Sequence, residues 1–290
     1  MKGTKTRLLA MGTIMALLAV VTPAGAATKS VPTKGINAVE IKVGKVNVRL
    51  EAGTVDSITL TAGPQLEQAV RIAGGKLQVA DKLGIMQKRL DLGDLLTIKM
   101  PAGLPVEVKT ASGDITVSGL QARLRAGTAS GDVSVTNCGG PVSVRGVSGD
   151  IVLDGISGDV TVSLVSGTVR ARKLHSPLLE VQTVSGGIDV DATGLERVRT
   201  RAVSGDTVLS GRPDGNASLV ASSVSGDIEL RLPAGCGFEV NFGSISGSLS
   251  SDFAGEREDG RRRVHLRVGD GTVSIKVGTV SGDLALRRLP

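Results

Sequence analysis

The feature that most constrains this fold is a Ser-Gly corner that returns at a nearly fixed interval. Ten such predicted corners begin between residues 112 and 281, with successive spacings of 18, 18, 9, 9, 19, 19, 21, 21 and 35 residues. Self-similarity at a period near 20 residues is the signature of a stacked repeat protein. Seven corners continue with Asp, and we interpret these residues as structural corner positions: Ser112, Gly113, Asp114, Ser130, Gly131, Asp132, Ser148, Gly149, Asp150, Ser157, Gly158, Asp159, Ser204, Gly205, Asp206, Ser225, Gly226, Asp227, Ser281, Gly282 and Asp283.

Each corner opens a short stretch in which apolar and other residues mostly alternate, as in residues 114–117 and 227–230. This alternation indicates a strand with one buried face. Gly tolerates positive φ, and Ser and Asp bond the nearby backbone, so the chain can bend sharply between strands. The main period of 18–21 residues, halved in one stretch, predicts an all-β, single-domain β-solenoid with about two short strands per coil. The alternative is a β-sandwich with turn-rich hairpins.

The first 26 residues have the pattern of a secretory signal peptide. Lys2, Lys5 and Arg7 precede an apolar stretch over residues 8–21, and Ala24-Gly25-Ala26 supplies a cleavage site. The apolar stretch is shorter than the ~20 residues that a membrane-spanning helix needs. We therefore expect an exported protein, in the periplasm, at the cell surface or secreted, with no transmembrane segment after cleavage.

The repeat pattern sets the predicted boundaries of the segments after the signal peptide. We expect a flexible segment at 27–35, an atypical strand-rich start of the stack at 36–110, and the Ser-Gly-Asp solenoid at 111–290, because terminal repeats of a solenoid are modified as caps. Within the solenoid, residues 251–263 interrupt the period with many charges and predict a charged loop. The charged residues and the proline at the end of the chain would protect an open sheet edge from pairing.

Composition excludes nucleic acid as a partner. Removal of the predicted signal peptide leaves 31 basic and 28 acidic residues, a weak net charge of +3. The chain has no Trp or Tyr, and its three aromatic residues are Phe238, Phe242 and Phe253. Sites for single-stranded nucleic acid stack bases on aromatic rings, and this chain has almost none. The same shortage disfavours an aromatic platform for sugars.

The cysteines and histidines do not indicate a chemical site. In the repeat register Cys138 and Cys236 lie about five coils, or about 24 Å, apart. A disulfide needs Cα atoms within about 7 Å, so we predict two unpaired thiols. His175 and His265 have no Cys, Asp or Glu at metal-ligand spacing, and we predict neither a metal nor a catalytic site there. No cofactor is predicted.

The corner Asp residues leave two interpretations open. Regular acidic ladders bind calcium in some β-rolls, which carry a Gly-Gly-x-Gly-x-Asp nonapeptide. Here the double glycine is missing, and Thr168, Gly187 and Ser248 interrupt the ladder. Turn stabilisation is the preferred interpretation, and calcium binding is the alternative.

The sequence resembles a bacterial cell-envelope family of β-strand-repeat proteins without an assigned activity, often labelled adhesin-like. The likeness rests on the Ile98-Lys99-Met100-Pro101 lead-in and on repeated units such as residues 110–117 and 147–153, and it extends over residues 36–286. It implies a β-helical stack and an envelope location, and some relatives belong to envelope-stress systems. It carries no catalytic residues to transfer.

These observations predict an exported, non-enzymatic β-repeat protein that acts as an adhesin-like or scaffold surface in the cell envelope. Its expected partner is an envelope protein or glycan, or a second copy of itself. One alternative is an envelope-stress sensor that binds an anionic or amphipathic ligand. The other is a polysaccharide-active β-helix enzyme, for which Asp252 and the charged segment from Glu256 to Arg263 offer the one candidate group of carboxylates and guanidiniums.

Overall fold

The computed structural model describes residues 19–21, 26–83 and 88–289. Most of the predicted signal peptide, residues 1–18 and 22–25, therefore lies outside the described residues. In chain order the first strands are β1 (Ala19–Val21), β2 (Ala27–Pro32), β3 (Ala38–Val43), β4 (Asn47–Gly53), β5 (Ser57–Ala62), β6 (Val70–Ala73), β7 (Lys76–Ala80), β8 (Lys82–Leu83), β9 (Lys88–Arg89) and β10 (Leu95–Pro101). One short helix, α1 (Leu66–Ala69), precedes β6.

The repeat region continues with shorter strands and two long ones. These are β11 (Val106–Thr110), β12 (Ile115–Ser118), β13 (Leu124–Ser130), β14 (Val133–Cys138), β15 (Val142–Ser148), β16 (Ile151–Ile156), β17 (Val160–Ser166), β18 (Val169–His175), β19 (Leu178–Ser185), β20 (Ile188–Ser204) and β21 (Thr207–Ser222). The last strands are β22 (Ile228–Leu232), β23 (Phe238–Ser246), β24 (Leu249–Ser251), β25 (Glu256–Asp259), β26 (Arg263–Val268), β27 (Val273–Ser281) and β28 (Leu284–Arg288).

The strands form two parallel walls that enclose one core. The first wall stacks β7, β3, β11, β13, β15, β17, β19, the second halves of β20 and β21, β27 and β23. The second wall stacks β10, β4, β12, β14, β16, β18, the first halves of β20 and β21, β22, β28 and β24. Equivalent strands pair with their neighbours above and below, so the predicted β-solenoid with two strands per coil is confirmed.

Small aliphatic residues fill the space between the walls. In β17 the buried residues Val160, Val162 and Leu164 alternate with outward-facing ones, as the period-2 pattern predicts. The three aromatic residues are all buried at the C-terminal end of the stack. There the rings of Phe238 and Phe253 meet edge to face, with centroids 5.0 Å apart. Thin coils of valine and leucine thus need few large side chains to exclude water.

At both ends of the stack, segments insert out of chain order. β3 lies between β7 and β11, and β4 lies between β10 and β12. At the other end β27 lies between β21 and β23, and β28 lies between β22 and β24. The last coil is therefore internal and paired on both sides. The prediction that the C-terminal charges protect an open edge is wrong.

The segment predicted to be flexible, residues 27–35, contains a strand instead. β2 pairs antiparallel with β5, and Val31 is fully buried. Lys29 is also buried, and its ammonium donates to a carboxylate oxygen of Glu67 at 2.6 Å. The polar composition of this segment hides a strand that pairs with β1 and β5 and whose lysine is held by an ion pair.

The segment predicted to be a charged loop, residues 251–263, also contains a strand. β25 pairs antiparallel with β26, which in turn pairs with β23. All four residues of β25 are exposed, so the strand has no apolar face and no alternation to reveal it. The hairpin extends the first wall at the C-terminal end of the stack.

Candidate functional site

Nine of the ten predicted Ser-Gly corners lie in one column along a single edge of the solenoid. Parallel pairing connects Ser130 to Ser148, Ser148 to Ser166, and so on through the stack. The exception is Ser157, which pairs with His175 on the opposite edge. The halved spacing of nine residues therefore arises because Ser157 begins the second corner of a coil whose first corner begins at Ser148.

Close approach between coils requires glycine in this column. Gly186 has a φ of +136°, and a Cβ built on it would overlap the carbonyl oxygen of Gly167 in the preceding coil. The same oxygen approach repeats between successive corner glycines from Gly113 to Gly226. A side chain at these positions would have to push two coils apart.

The corner Asp side chains bond between coils rather than within one turn. The main-chain N–H of Asp132 donates to Oδ1 of Asp114 at 2.9 Å, and the N–H of Asp150 donates to Oδ1 of Asp132 at 2.8 Å. A second run joins Asp206, Asp227 and Asp283 in the same way. The corner Asp therefore stabilises the stacking of coils rather than its own turn, because each carboxylate accepts a hydrogen bond from an amide of the next coil.

The ladder is interrupted where the sequence lacks Asp. Thr168 ends the first run by donating its N–H to Asp150 at 2.8 Å, and Gly187 follows without a side chain. This bond is the main cause that holds the pKa of Asp150 below its ordinary value, and the nearby guanidinium of Arg170 lowers it further. The carboxylates here act as acceptors for the backbone.

An exposed apolar column runs beside the serines. The residue before each of the nine serines on this edge points outward, and we call this set the apolar column. Its members, in the order of the stack, are Ala111, Ala129, Val147, Val165, Val184, Val203, Val224, Val280 and Ile245. Val184 is 48% exposed and Ile245 is 64% exposed. Sequence reasoning missed this column, although the repeated Val-Ser-Gly triplet was its signal.

A shallow groove of about 570 Å³ runs along the apolar column on the first wall. One side is formed by members of the column from Val165 to Val224, and the other includes Arg145 and Arg201. A second groove of about 830 Å³ continues past the earlier coils. The two grooves share Arg145 and Gly146, and members of the apolar column line both of them.

The floor of these grooves contains buried hydroxyl groups without partners. Among the described residues, Thr128 Oγ1, Thr183 Oγ1 and Ser223 Oγ are buried and accept or donate no hydrogen bond within the protein. All three belong to the inward-facing position two residues before the corner Ser. A buried hydroxyl without a partner costs about 1–3 kcal/mol, so these three atoms reduce the stability of their coils.

The remaining candidate residues do not form a reactive site. Cys138 is buried and Cys236 is half-buried, and both are free. Burial raises the pKa of both thiols. His175 lies 3.4 Å from Thr193 Oγ1, and His265 lies 3.8 Å from a carboxylate oxygen of Glu239. The two histidines lie on different strands, β18 and β26.

The carboxylates considered for catalysis lie in structural ion pairs or in solvent. Asp252 accepts from Arg287 at 3.1 Å, and Asp259 accepts from Arg257 at 2.8 Å. Glu256 is exposed on β25. Across the described ranges, no group of three or more His, Cys, Asp or Glu residues is arranged to hold a metal ion. No described helix is long and apolar enough to cross a membrane.

Comparison with known proteins agrees with the β-solenoid fold. The sequence profile of the family described as Toastrack DUF4097 matches residues 36–287. A search of curated proteins finds no match. A crystal structure provisionally named as a lipid-binding protein from Parabacteroides distasonis is similar, with 16% identity over 91% of this chain and 97% of that chain and a TM-score of 0.51. At this identity the likeness concerns the fold alone.

Two further crystal structures match more distantly. One is provisionally named as an adhesin from Bacteroides fragilis, with 12% identity over 90% of this chain and 96% of that chain and a TM-score of 0.45. The other is provisionally named as a cell adhesion protein from Clostridium sporogenes, with 12% identity over 91% of this chain and 99% of that chain and a TM-score of 0.25.

Proposed function

This chain belongs to the Toastrack DUF4097 family, and we propose that it is an exported, non-enzymatic protein that contacts another component of the cell envelope through its solenoid corner. In this role it is an adhesin-like or scaffold protein. The signal-peptide pattern of residues 1–26 supports export. The short coils, whose corners serve the backbone, support a role in binding rather than in catalysis.

The observation that carries this proposal is the apolar column. Isolated exposed apolar residues are ordinary, but a continuous apolar patch marks a binding surface. Seven of the eleven large exposed hydrophobic residues in the described part of the chain, from Val147 to Val280 and Ile245, lie in this column. An apolar row of this kind, bordered by charged residues, suits contact with a macromolecule.

A site-specific crosslink in living cells tests the proposal. A photoreactive amino acid replaces Val184 in the apolar column, and the matched control replaces Val152, which is 38% exposed on the second wall. We expect a crosslinked product at position 184 and none at position 152. Equal yields at both positions, or no product at 184, would contradict a contact role for the corner.

Fractionation and N-terminal sequencing test export separately. We expect the mature chain in an exported fraction to begin at Ala27, after the Ala24-Gly25-Ala26 pattern. An uncut chain that stays in the cytoplasm would contradict the envelope role even if the crosslink succeeds.

A second candidate function, binding of an amphipathic anionic ligand, is favoured by the groove along the apolar column. Its lining combines the exposed valines from Val165 to Val224 with Arg145 and Arg201. A ligand with an anionic head and an apolar chain would contact both kinds of side chain. Calorimetric titration with palmitate tests this, with Arg201→Gln as the matched variant. Binding that is weaker in the variant supports the second candidate, whereas unchanged binding or none removes it.

A further inference from the structure

We propose that the partner of the apolar column is a second copy of this chain, packed column against column with the two solenoids parallel and in register. This inference rests on the proposed contact role of the corner and names its occupant. Its basis is the distribution of charge on the two sides of the column. Where these two sides are charged they carry opposite signs, and three coils carry one charge of each sign.

On the first wall, the position beside the column carries basic or uncharged residues and no acidic ones. The outward position three residues before the corner Ser carries Lys109, Arg145 and Arg201 in three of the coils. Arg145 and Arg201 are exposed, and neither forms an ion pair with a described residue. Both guanidiniums are therefore available to a partner.

The side on the second wall is acidic, because it carries the Asp ladder. Each ladder Asp uses Oδ1 for the next coil, and in Asp150 the other oxygen accepts from Arg170 at 3.0 Å. Asp206 is exposed and has no ion pair among the residues that the structure describes. In the same coil Arg201 is equally free, on the other side of Val203.

A basic residue and a ladder Asp occur together in three of the nine coils. Arg145 accompanies Asp150, Arg201 accompanies Asp206, and Lys109 accompanies Asp114. Lys109 also pairs with Glu107 and Asp150 with Arg170, so Arg201 and Asp206 are the one such couple in which both charges lack an ion pair among the described residues. In the three coils that lack the Asp, the basic position is also uncharged, and in three further coils the Asp stands beside an uncharged residue; these six coils carry Ser163 with Thr168, Gln182 with Gly187, Gly243 with Ser248, Gly127 with Asp132, Ser222 with Asp227 and Gly278 with Asp283.

Only one symmetric arrangement makes use of this match. A two-fold axis parallel to the solenoid axis keeps both copies in the same direction and places the basic side of one coil against the acidic side of the same coil in the other copy. An axis perpendicular to the solenoid reverses one copy and places basic against basic. Like charges across an interface are strongly unfavourable, so the parallel arrangement is selected.

The spacing of the column also fits a second copy. Parallel strands repeat every ~4.8 Å, so eight steps between nine members make an apolar line of roughly 38 Å. A partner with the same repeat meets every member of the column, whereas a partner of another repeat meets only a few. In the parallel dimer each residue of the column packs against its own counterpart.

Single cysteines distinguish the possible arrangements. In a background with Cys138→Ala and Cys236→Ser, the full chain carries either Val147→Cys or Val224→Cys and is exposed to a mild oxidant. We expect each variant alone to form a disulfide-linked dimer, because each position faces itself. The matched control, Val152→Cys on the second wall, should stay monomeric.

Other outcomes would overturn the proposal. In an antiparallel dimer, 147 and 224 would crosslink only when the two variants are mixed. Efficient crosslinking at 152, or none at 147 and 224, also refutes the parallel dimer. If the crosslink at Val184 in cells joins this chain to a different protein, the dimer is refuted and the proposed function stands. If position 184 gives no product at all, both fail.

A charge exchange gives an independent readout. Arg201→Glu places two carboxylate pairs against each other across the dimer, and we expect sedimentation to show dimerisation weakened by about tenfold or more. Adding Asp206→Arg to the same chain restores opposite charges and should recover most of the lost affinity. Thermal melting of both variants checks folding, since Asp206 also accepts an amide bond. No recovery in a folded double variant would refute the proposed register.

Discussion

The substitution Gly186→Ala tests whether coil spacing depends on the glycine column. The new Cβ would overlap the carbonyl oxygen of Gly167, lie 2.7 Å from its carbonyl carbon and lie 3.2 Å from its nitrogen. Those atoms belong to backbone that is paired on both sides and cannot turn away. In addition, alanine at a φ of +136° carries about 1–3 kcal/mol of backbone strain. Overpacking in a close-packed region adds about 1–3 kcal/mol. We therefore expect a loss of at least about 2 kcal/mol.

Urea unfolding followed by far-UV circular dichroism measures this loss through the midpoint and slope. The matched control is Gly278→Ala, because Gly278 also lies in the first wall but has open space around a built Cβ. We expect the control to stay within about 0.5 kcal/mol of the wild type. A Gly186→Ala protein as stable as this control would refute the argument that the corner requires glycine.

Three further predictions concern the ladder, the C-terminal end and the thiols. The folded-state pKa of Asp150 is lowered, so its ionised form stabilises the fold above its unfolded pKa, and this contribution is lost as the pH falls through the folded pKa. Carboxyl titration by NMR should still find a lowered pKa in Arg170→Ala, because the amide bond from the next coil is the larger cause; a return to the ordinary value would contradict this. Phe253→Ala should cost about 3–5 kcal/mol in urea unfolding, because a buried ring and its edge contact are lost, and a loss below 1 kcal/mol would be inconsistent with that packing. A chromogenic disulfide reagent should label Cys236 before Cys138, since the first is half-buried and the second is 2% exposed; the reverse order would contradict the burial.

The repeat itself was readable from the sequence because its cause is local. A corner needs small residues, a strand needs alternation, and both recur at the spacing of one coil. Residues such as Val160 and Ile151 therefore fall on opposite walls, as the spacing predicts. The likeness to a family of β-strand-repeat proteins is confirmed, since the family profile matches residues 36–287.

The order of the strands at the ends of the stack could not be predicted from the sequence, because it depends on pairing between segments that are distant in the chain. Nothing near β28 indicates that it inserts between β22 and β24. The strand at residues 256–259 has no apolar residue, so its pairing comes from neighbouring β26 alone. Likewise, the interpretation of the corner Asp as a local turn residue missed its bond to the next coil, which becomes visible only when coils are stacked.

The apolar column also escaped sequence reasoning, and it is the one repeated feature that the fold does not require. The corners at Ser112 and Ser130 follow Ala111 and Ala129, and they stack like the others. A β-branched residue favours the end of a strand, but that preference would act equally on the outward position two residues earlier. That position is mixed, with Gly127, Ser163 and Gln182 among its members.

Strand propensity therefore does not explain why the column is uniformly apolar from Val147 onward. Exposed valine also carries a cost, because an apolar row invites association. The corner forms without an apolar residue larger than alanine at this position, and exposed valines lower solubility. A binding contact best explains why the valines are there. Since the charges beside the column are basic on one side and acidic on the other, the contact that explains both the apolar residues and the charges is with an identical column.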